Sequence, residues 1–229
     1  MSMGLAVTAD ENSSGAYSQF DTPRLADSVV HPRWEWRVFE RTFGVPPAED
    51  VVGGAPAVEQ TYLLSLLSPH SVKVRDGLLD IKRLEQVDET GLQLWRPVLT
   101  AEFPIEASVL ATACSAWGVP APSPDTPPLS LSDLLYRVVV PHRQLRIVTL
   151  TKRRMPIAIG PCQGERAQFT IGRHRWNTVS VEDADRQRVL ASLRELGLDS
   201  ADNEDYPSTL KRILGLPDHS SAPRALPVL

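Results

Sequence analysis

Residues 71–82 read SVKVRDGLLDIK, and the Asp76-Gly77 pair at their centre constrains the fold more than any other feature of the chain. Asp-Gly favours positive φ at both central positions of a two-residue loop, which closes two alternating runs into an antiparallel hairpin. The turn sets the register, placing Arg75 opposite Leu78, Lys73 opposite Asp80 and Ser71 opposite Lys82. Side chains alternate across a strand, so Lys73, Arg75, Asp80 and Lys82 share one face while Val72, Val74, Leu79 and Ile81 share the other. Such a hairpin has two readings. Either the apolar face is core and the charges are wet, or the charges line a cavity that holds an anion.

Other segments repeat the pattern. Arg33, Glu35 and Arg37 alternate with Trp34, Trp36 and Val38, and Arg146, Lys152 and Arg154 share a face of RQLRIVTLTKRR (143–154). TYLLSLL (61–67), GLQLWRPV (91–98), ERAQFTI (165–171) and NTVSVE (177–182) complete the strand candidates, the last with Ser180 and Glu182 on one face. Long charged side chains, rather than the Thr, Ser and Gln of a solvated sheet face, recur opposite Trp, Val, Leu and Ile. In a closed barrel the pattern runs inverted, with the apolar faces outward under helices and the charges inward. Inward charges persist only when paired or when they engage a charged ligand.

Helical periodicity marks Ile105–Trp117, with Gly118 as C-cap, and a second helix carrying Val189, Leu190, Leu193 and Leu196 behind a cap at Asp183 or Asp185. SLSDLLYRVV reads as a short helix after the proline-rich loop 119–130, and Pro207-Ser208 starts a last one with Leu210, Ile213 and Leu214. The fold class is therefore α+β: an eight-stranded antiparallel β-barrel, or tunnel, with peripheral helices. Residues 1–30 and 217–229 are polar and aperiodic and read as disordered flanks of a single domain at 31–216.

The total charge is mildly acidic, with 28 acidic against 24 basic residues, so neither nucleic acid nor an anionic membrane is expected as partner. Its distribution says more. Eight Lys or Arg and one acid, Glu165, fall between His142 and Trp176, whereas seven acids and three arginines fall between Asp183 and Asp205. A basic tract inside an acidic protein points to a specific anion site. Cys114 and Cys162 lack metal or disulfide spacing, and His142 and His174 have no partner at a triad or ligand spacing. No signal peptide or apolar span is legible, so the expected location is the cytoplasm. Trp34, Trp36, Trp95 and Trp176 read as packing residues rather than a nucleobase platform.

Arg and Lys with a few carboxylates suit a polyphosphate: guanidinium takes phosphate oxygens in pairs, ammonium acts as a point charge, and carboxylates hold a divalent cation. The order of a charged first strand, a basic hairpin, a basic late strand and a Glu-bearing strand running into a helix resembles the CYTH, or triphosphate tunnel metalloenzyme, superfamily. TVSVEDADRQRVLASLRELGL followed by NEDYPSTLKRILGL is similar to that family's closing strand, helix and Tyr-containing final segment. The resemblance spans residues 33–216. It implies an eight-stranded antiparallel tunnel that binds a triphosphate, polyphosphate or nucleoside triphosphate with Mg²⁺ or Mn²⁺, in a family whose members hydrolyse triphosphates or cyclise ATP.

Carried over residue by residue, the resemblance gives Arg37, Lys73, Arg75, Lys82, Arg146, Lys152 and Arg154 as phosphate ligands, and Glu35 and Glu182 as metal ligands. The family's Glu-x-Glu-x-Lys first strand is here Arg33-x-Glu35-x-Arg37, and its closing Glu-x-Glu is Ser180-x-Glu182. The phosphate-holding half of the pattern is better kept than the metal-holding half, and no water-activating residue is identified. Three readings stay open at the level of sequence: a metal-dependent triphosphatase, a tunnel that binds a phosphorylated ligand without turnover, and a partner-binding module with solvated charges.

Overall fold

The computed structural model describes residues 31–40, 56–199 and 201–217. The flanks expected to be disordered, 1–30 and 217–229, lie outside the described residues except for Pro217, as does most of the loop that follows the first strand.

Eight strands close into one antiparallel barrel. In chain order they are β1 (Arg33–Glu40), β2 (Val58–Ser65), β3 (Ser71–Arg75), β4 (Leu78–Val87), β5 (Gln93–Glu102), β6 (Leu145–Ile159), β7 (Cys162–Ile171) and β8 (His174–Asp183). Around the wall they run β1-β5-β4-β3-β2-β6-β7-β8, and β8 returns to β1. The β3–β4 hairpin has the register that its turn dictates: Arg75 faces Leu78, Lys73 faces Asp80 and Ser71 faces Lys82, with Asp76 at φ 53° and Gly77 at φ 75°.

The wall is apolar on the outside wherever a helix covers it. Helix α1 (Ala107–Trp117) ends at Gly118, which has φ 71°, and lays Leu110, Ala113, Cys114 and Trp117 on Val72, Val74, Leu79 and Ile81. The Trp117 indole donates to the Leu63 carbonyl at 2.8 Å, so its one polar atom is paired within the core. Full burial of each such large side chain stabilises by roughly 1.5–3 kcal/mol. The segment after the proline-rich loop is one turn of α-helix, Leu131–Asp133, that continues as a π-helical stretch, Leu134–Val139; the two together form α2. Helix α3 (Arg186–Glu195) is capped by the Asp185 side chain and sets Val189 and Leu193 against Trp36, Ile159 and Val181. These contacts put β1's tryptophan face and β8's valine face outside, as an inverted barrel requires.

Helix α4 (Tyr206–Ile213), capped by Asp205, does something different. Its Tyr206 and Leu210 join Phe39, Tyr62, Leu64, Val148, Leu150, Phe169 and Trp176 in one apolar cluster. Strand alternation turns those seven strand residues inward, so α4 lies across one end of the barrel and fills it. Tyr206 stacks on Tyr62 (centroids 5.5 Å apart) and meets Phe39 edge-on at 4.9 Å.

Candidate functional site

The lumen beyond this aromatic floor is lined by charge. Alternation from Phe39 places Arg37 and Glu35 inward on β1, and pairing of β1 with β8 sets Glu35 opposite Glu182 and Arg37 opposite Ser180. Alternation from Tyr62 places Gln60 inward on β2, and its pairing with β3 sets Lys73 beside Tyr62 and Arg75 beside Gln60. On β6, Lys152 faces Phe169 and Arg154 faces Ala167, while Glu165 on β7 stands opposite Ser180 of β8.

One ion-pair network, linking Glu35, Arg37, Glu165 and Lys152, and a separate pair of Lys73 with Asp80 result. Arg37 Nε donates to Glu35 Oε1 at 2.9 Å, and its Nη1 reaches Glu165 Oε1 and Thr178 Oγ1, each at 3.3 Å. Lys152 Nζ donates to Glu165 Oε1 at 2.7 Å. Lys73 Nζ lies 3.6 Å from Asp80 Oδ2. The Arg37 guanidinium and the Lys152 ammonium both sit over the Tyr206 ring, at 5.0 and 4.8 Å from its centroid. The floor thus offers the cations a π face as well as carboxylates.

The balance of charge differs across the lumen. Burial pushes the Lys73 ammonium down; Asp80 opposes this, but Lys82, Arg75 and Lys152 add to it, and the group ends at about 7 against an ordinary 10.5. Four cations from three strands therefore act on one another here, with Lys73 paired to Asp80, Arg75 to Asp76 at 3.6 Å and Lys152 to Glu165. Across from them, burial pushes the Glu165 carboxyl up, but Lys152 and Arg37 outweigh it and hold the group well below the usual carboxylate range. Burial likewise raises Glu35, and Arg37 and Lys82 bring it below its ordinary value. Glu182 is the exception. Burial raises it, the negative charge of Glu35 raises it further, and Lys82, Arg33 and Arg37 do not compensate.

Of the residues that the sequence singled out, Glu35, Arg37, Lys73, Arg75, Lys82, Lys152, Arg154 and Glu182 come together, each acting electrostatically on another member or, for Arg154, on Glu165. Arg146 stands apart. Eight residues of extended strand separate it from Arg154, about 26 Å at ~3.3 Å per residue, and its Nη1 donates to the carbonyls of Arg143 and Leu145. Sequence reasoning had passed over Glu165, Tyr62 and Tyr206. Glu165 had one visible signal, as the single acid of the basic tract. Tyr206 was visible only as the tyrosine of the final segment NEDYPSTLKRILGL and Tyr62 had no signal, because an inward apolar floor and a terminal helix that enters it are properties of the closed fold.

Two buried polar atoms at the edge of the floor, Gln60 Oε1 and the Tyr206 hydroxyl, have no hydrogen-bond partner among the described residues. The described residues contain no group of three His, Cys, Asp or Glu placed to hold a metal ion. The Glu35–Glu182 pair, two carboxylates on neighbouring strands with one of them raised by the other, fits a divalent cation that arrives already carrying phosphate oxygens, since Mg²⁺ needs only one or two carboxylates. It does not form a complete protein cage. No helix of the described residues is long and apolar enough to cross a membrane.

No family model matches the chain, and no curated protein matches it either. Among solved structures it is similar to one described as a candidate adenylate cyclase from Bacillus halodurans, at 14% identity and TM-score 0.46 over 80% of this chain and 96% of that one. It is also similar to HpAC1 of Hippeastrum, described as a candidate adenylyl cyclase with a dominant triphosphatase activity (11% identity, TM-score 0.41, 81% and 96% covered). A third is the PH1012 protein of Pyrococcus horikoshii (18% identity, TM-score 0.39, 76% and 94% covered). The fold expected from the sequence is borne out by the strand order alone: the chain is a closed eight-stranded antiparallel barrel.

Proposed function

We propose that the lumen binds a triphosphate-type anion, whether inorganic tripolyphosphate, a longer polyphosphate or the phosphate chain of a nucleoside triphosphate. Lys73, Arg75 and Lys82 hold one part of the chain and Arg37, Lys152 and Arg154 the other. The observation that carries this reading is that Arg75, Lys82 and Lys152 all act repulsively on the buried Lys73 ammonium, whose ion-pair partner Asp80 lies 3.6 Å away and does not offset them. Buried like charges are unfavourable unless a counter-charge joins them, and phosphoryl oxygens supply several at once. The unpartnered Tyr206 hydroxyl and Gln60 carbonyl oxygen support it, because a buried polar atom calls for a partner and a ligand with its water provides one. Arg146, occupied by backbone carbonyls, is left out of the ligand set.

Glu35 and Glu182 would hold a divalent cation, Mg²⁺ or Mn²⁺, against the bound phosphates. Such an ion polarises phosphoryl oxygen and positions water, which is the chemistry of triphosphate hydrolysis. The chain's own part is to align the phosphates, neutralise them and keep the floor dry. A second reading, binding without turnover, is favoured by Glu35 itself, whose Oε1 is already engaged by Arg37 at 2.9 Å.

Thermal unfolding with tripolyphosphate and with ATP, each with and without Mg²⁺ or Mn²⁺, tests the proposal, since a ligand bound only by the folded state raises the melting point. A shift with metal, accompanied by phosphate release, is the expected result for the enzyme. A shift indifferent to metal and without phosphate release means a binding tunnel. No shift with any anion refutes the site.

A further inference from the structure

Glu165 has no place among the groups that hold phosphate or metal, yet it lies at the centre of the cations. Its Oε1 is 2.7 Å from Lys152 Nζ and 3.3 Å from Arg37 Nη1, on two strands of which only β6 is its direct neighbour. Arg37 already has a carboxylate of its own, Glu35 at 2.9 Å, so the second is not needed to neutralise it. Lys152 is buried, and Glu165 is the carboxylate that pairs with it. A carboxylate oxygen placed between an ammonium and a guanidinium stands where a phosphoryl oxygen would stand, with the same acceptor chemistry.

We propose that Glu165 is a tethered competitor, whose carboxylate fills the anion position between Lys152 and Arg37 in the empty barrel and must be displaced by a phosphate chain. The inference rests on the reading of the lumen as a polyphosphate site and adds to it a residue that sets ligand length. Attached to β7, the carboxylate competes at an effective concentration of at least about millimolar. A single orthophosphate has to overcome that alone. A chain anchored at Lys73, Arg75 and Lys82 presents its other end to Lys152 and Arg37 with an effective concentration of its own. After cleavage the shorter products lose one anchor, and Glu165 closes on the cations again. Lys152 and Arg37 keep the carboxyl below the usual carboxylate range, so the competitor stays charged at neutral pH.

The opposite role is that Glu165 positions Lys152, and the two roles predict opposite signs. Calorimetric titration of the unaltered protein and of Glu165→Gln with sodium tripolyphosphate and with sodium orthophosphate separates them. The expected result is tripolyphosphate binding at least about tenfold tighter in the variant, from the loss of a competing charged hydrogen bond, and orthophosphate binding that gains no less. Unchanged or weaker binding of tripolyphosphate in Glu165→Gln, with clear binding by the unaltered protein, overturns the competitor alone. No binding by either protein overturns the polyphosphate site and the competitor together. The complex of the unaltered protein with tripolyphosphate, solved crystallographically, gives a reading that does not depend on the variant's folding. Glu165 is expected to have left ion-pair distance of Lys152, and a retained contact beside bound phosphate refutes the proposal.

Discussion

The two faces of the β3–β4 hairpin are built from the same ten residues and answer to different demands. Outward, Val72, Val74, Leu79 and Ile81 sit under α1 at 7% exposure or less, within one core cluster. Inward, Lys73 pairs with Asp80 and Arg75 with Asp76, while Lys82 and Arg75 add positive charge that burdens the buried Lys73 ammonium. The outer face is satisfied by the protein alone. The inner face is satisfied only in part, and the part left over is what a ligand supplies. Because this hairpin packs its apolar residues outward against α1, its inner face is freed from holding the fold together; the inward apolar packing lies at the aromatic floor. The comparison predicts that substitutions on the outer face act on stability and those on the inner face act on binding.

The largest expected effect lies outside. Leu79 is fully buried against α1, and Leu79→Ala is expected to lower stability by about 2–5 kcal/mol. Urea unfolding checks it, and tripolyphosphate affinity measured at temperatures where the variant remains folded should be unchanged. A loss of affinity without a loss of stability would erase the division between the faces.

On the inner face, Lys73→Met keeps most of the side-chain volume and removes a charge that its surroundings disfavour. Tripolyphosphate affinity is expected to fall by about 10–100-fold, the range for one charge-assisted hydrogen bond. The melting point of the empty protein should hold or rise. A variant that loses stability in parallel with affinity would make Lys73 a structural residue paired with Asp80.

A smaller effect is expected across the lumen, at Glu182. Its carboxyl is raised by burial and by Glu35, so Glu182→Gln removes a repulsion and should raise the melting point slightly in the absence of ligand. The same variant should lose whatever part of the tripolyphosphate-induced shift depends on Mg²⁺ or Mn²⁺. Retention of the full metal dependence would move the cation away from the Glu35–Glu182 pair.

The hairpin was fully legible in the sequence because Asp76-Gly77 fixes its register, and register fixes which residues share a face. Which face turns inward was not fixed by alternation, since a period of two is the same for a wet sheet and an inverted barrel. Closure decides it, through the pairing of β8 with β1 and the helices laid over Trp36 and Val72. Glu165 escaped for a related reason. The strand that carries it begins at Cys162, not at Glu165, and only the β6–β7 and β7–β8 registers show the residue to be well inside the barrel. Arg146 and Arg154 share a face on paper, yet β6 runs 15 residues, and a strand that long carries its two ends to different ends of the lumen. Tyr206 was legible as the tyrosine of the final segment, but its place under Arg37 and Lys152 comes from tertiary packing of a helix.

The finest test of the comparison is protonic. Lys73 stands at about 7 in the folded protein and at 10.5 as an ordinary lysine, so between those values the unfolded chain binds more protons. Stability therefore rises with pH across that window: the cost of the buried ammonium is fully present below about 7 and fades as pH approaches 10.5. A bound polyphosphate supplies the missing counter-charge and returns Lys73 toward its ordinary value, so at pH 8 binding should take up as much as about one proton per site. Calorimetry in two buffers of different ionisation enthalpy reads that proton directly. Lys73→Met should abolish the difference between buffers while leaving weaker binding measurable. Equal heats in both buffers for the unaltered protein would mean that the ligand binds without facing Lys73, and the inner face of the hairpin would then be no more than a charged lining.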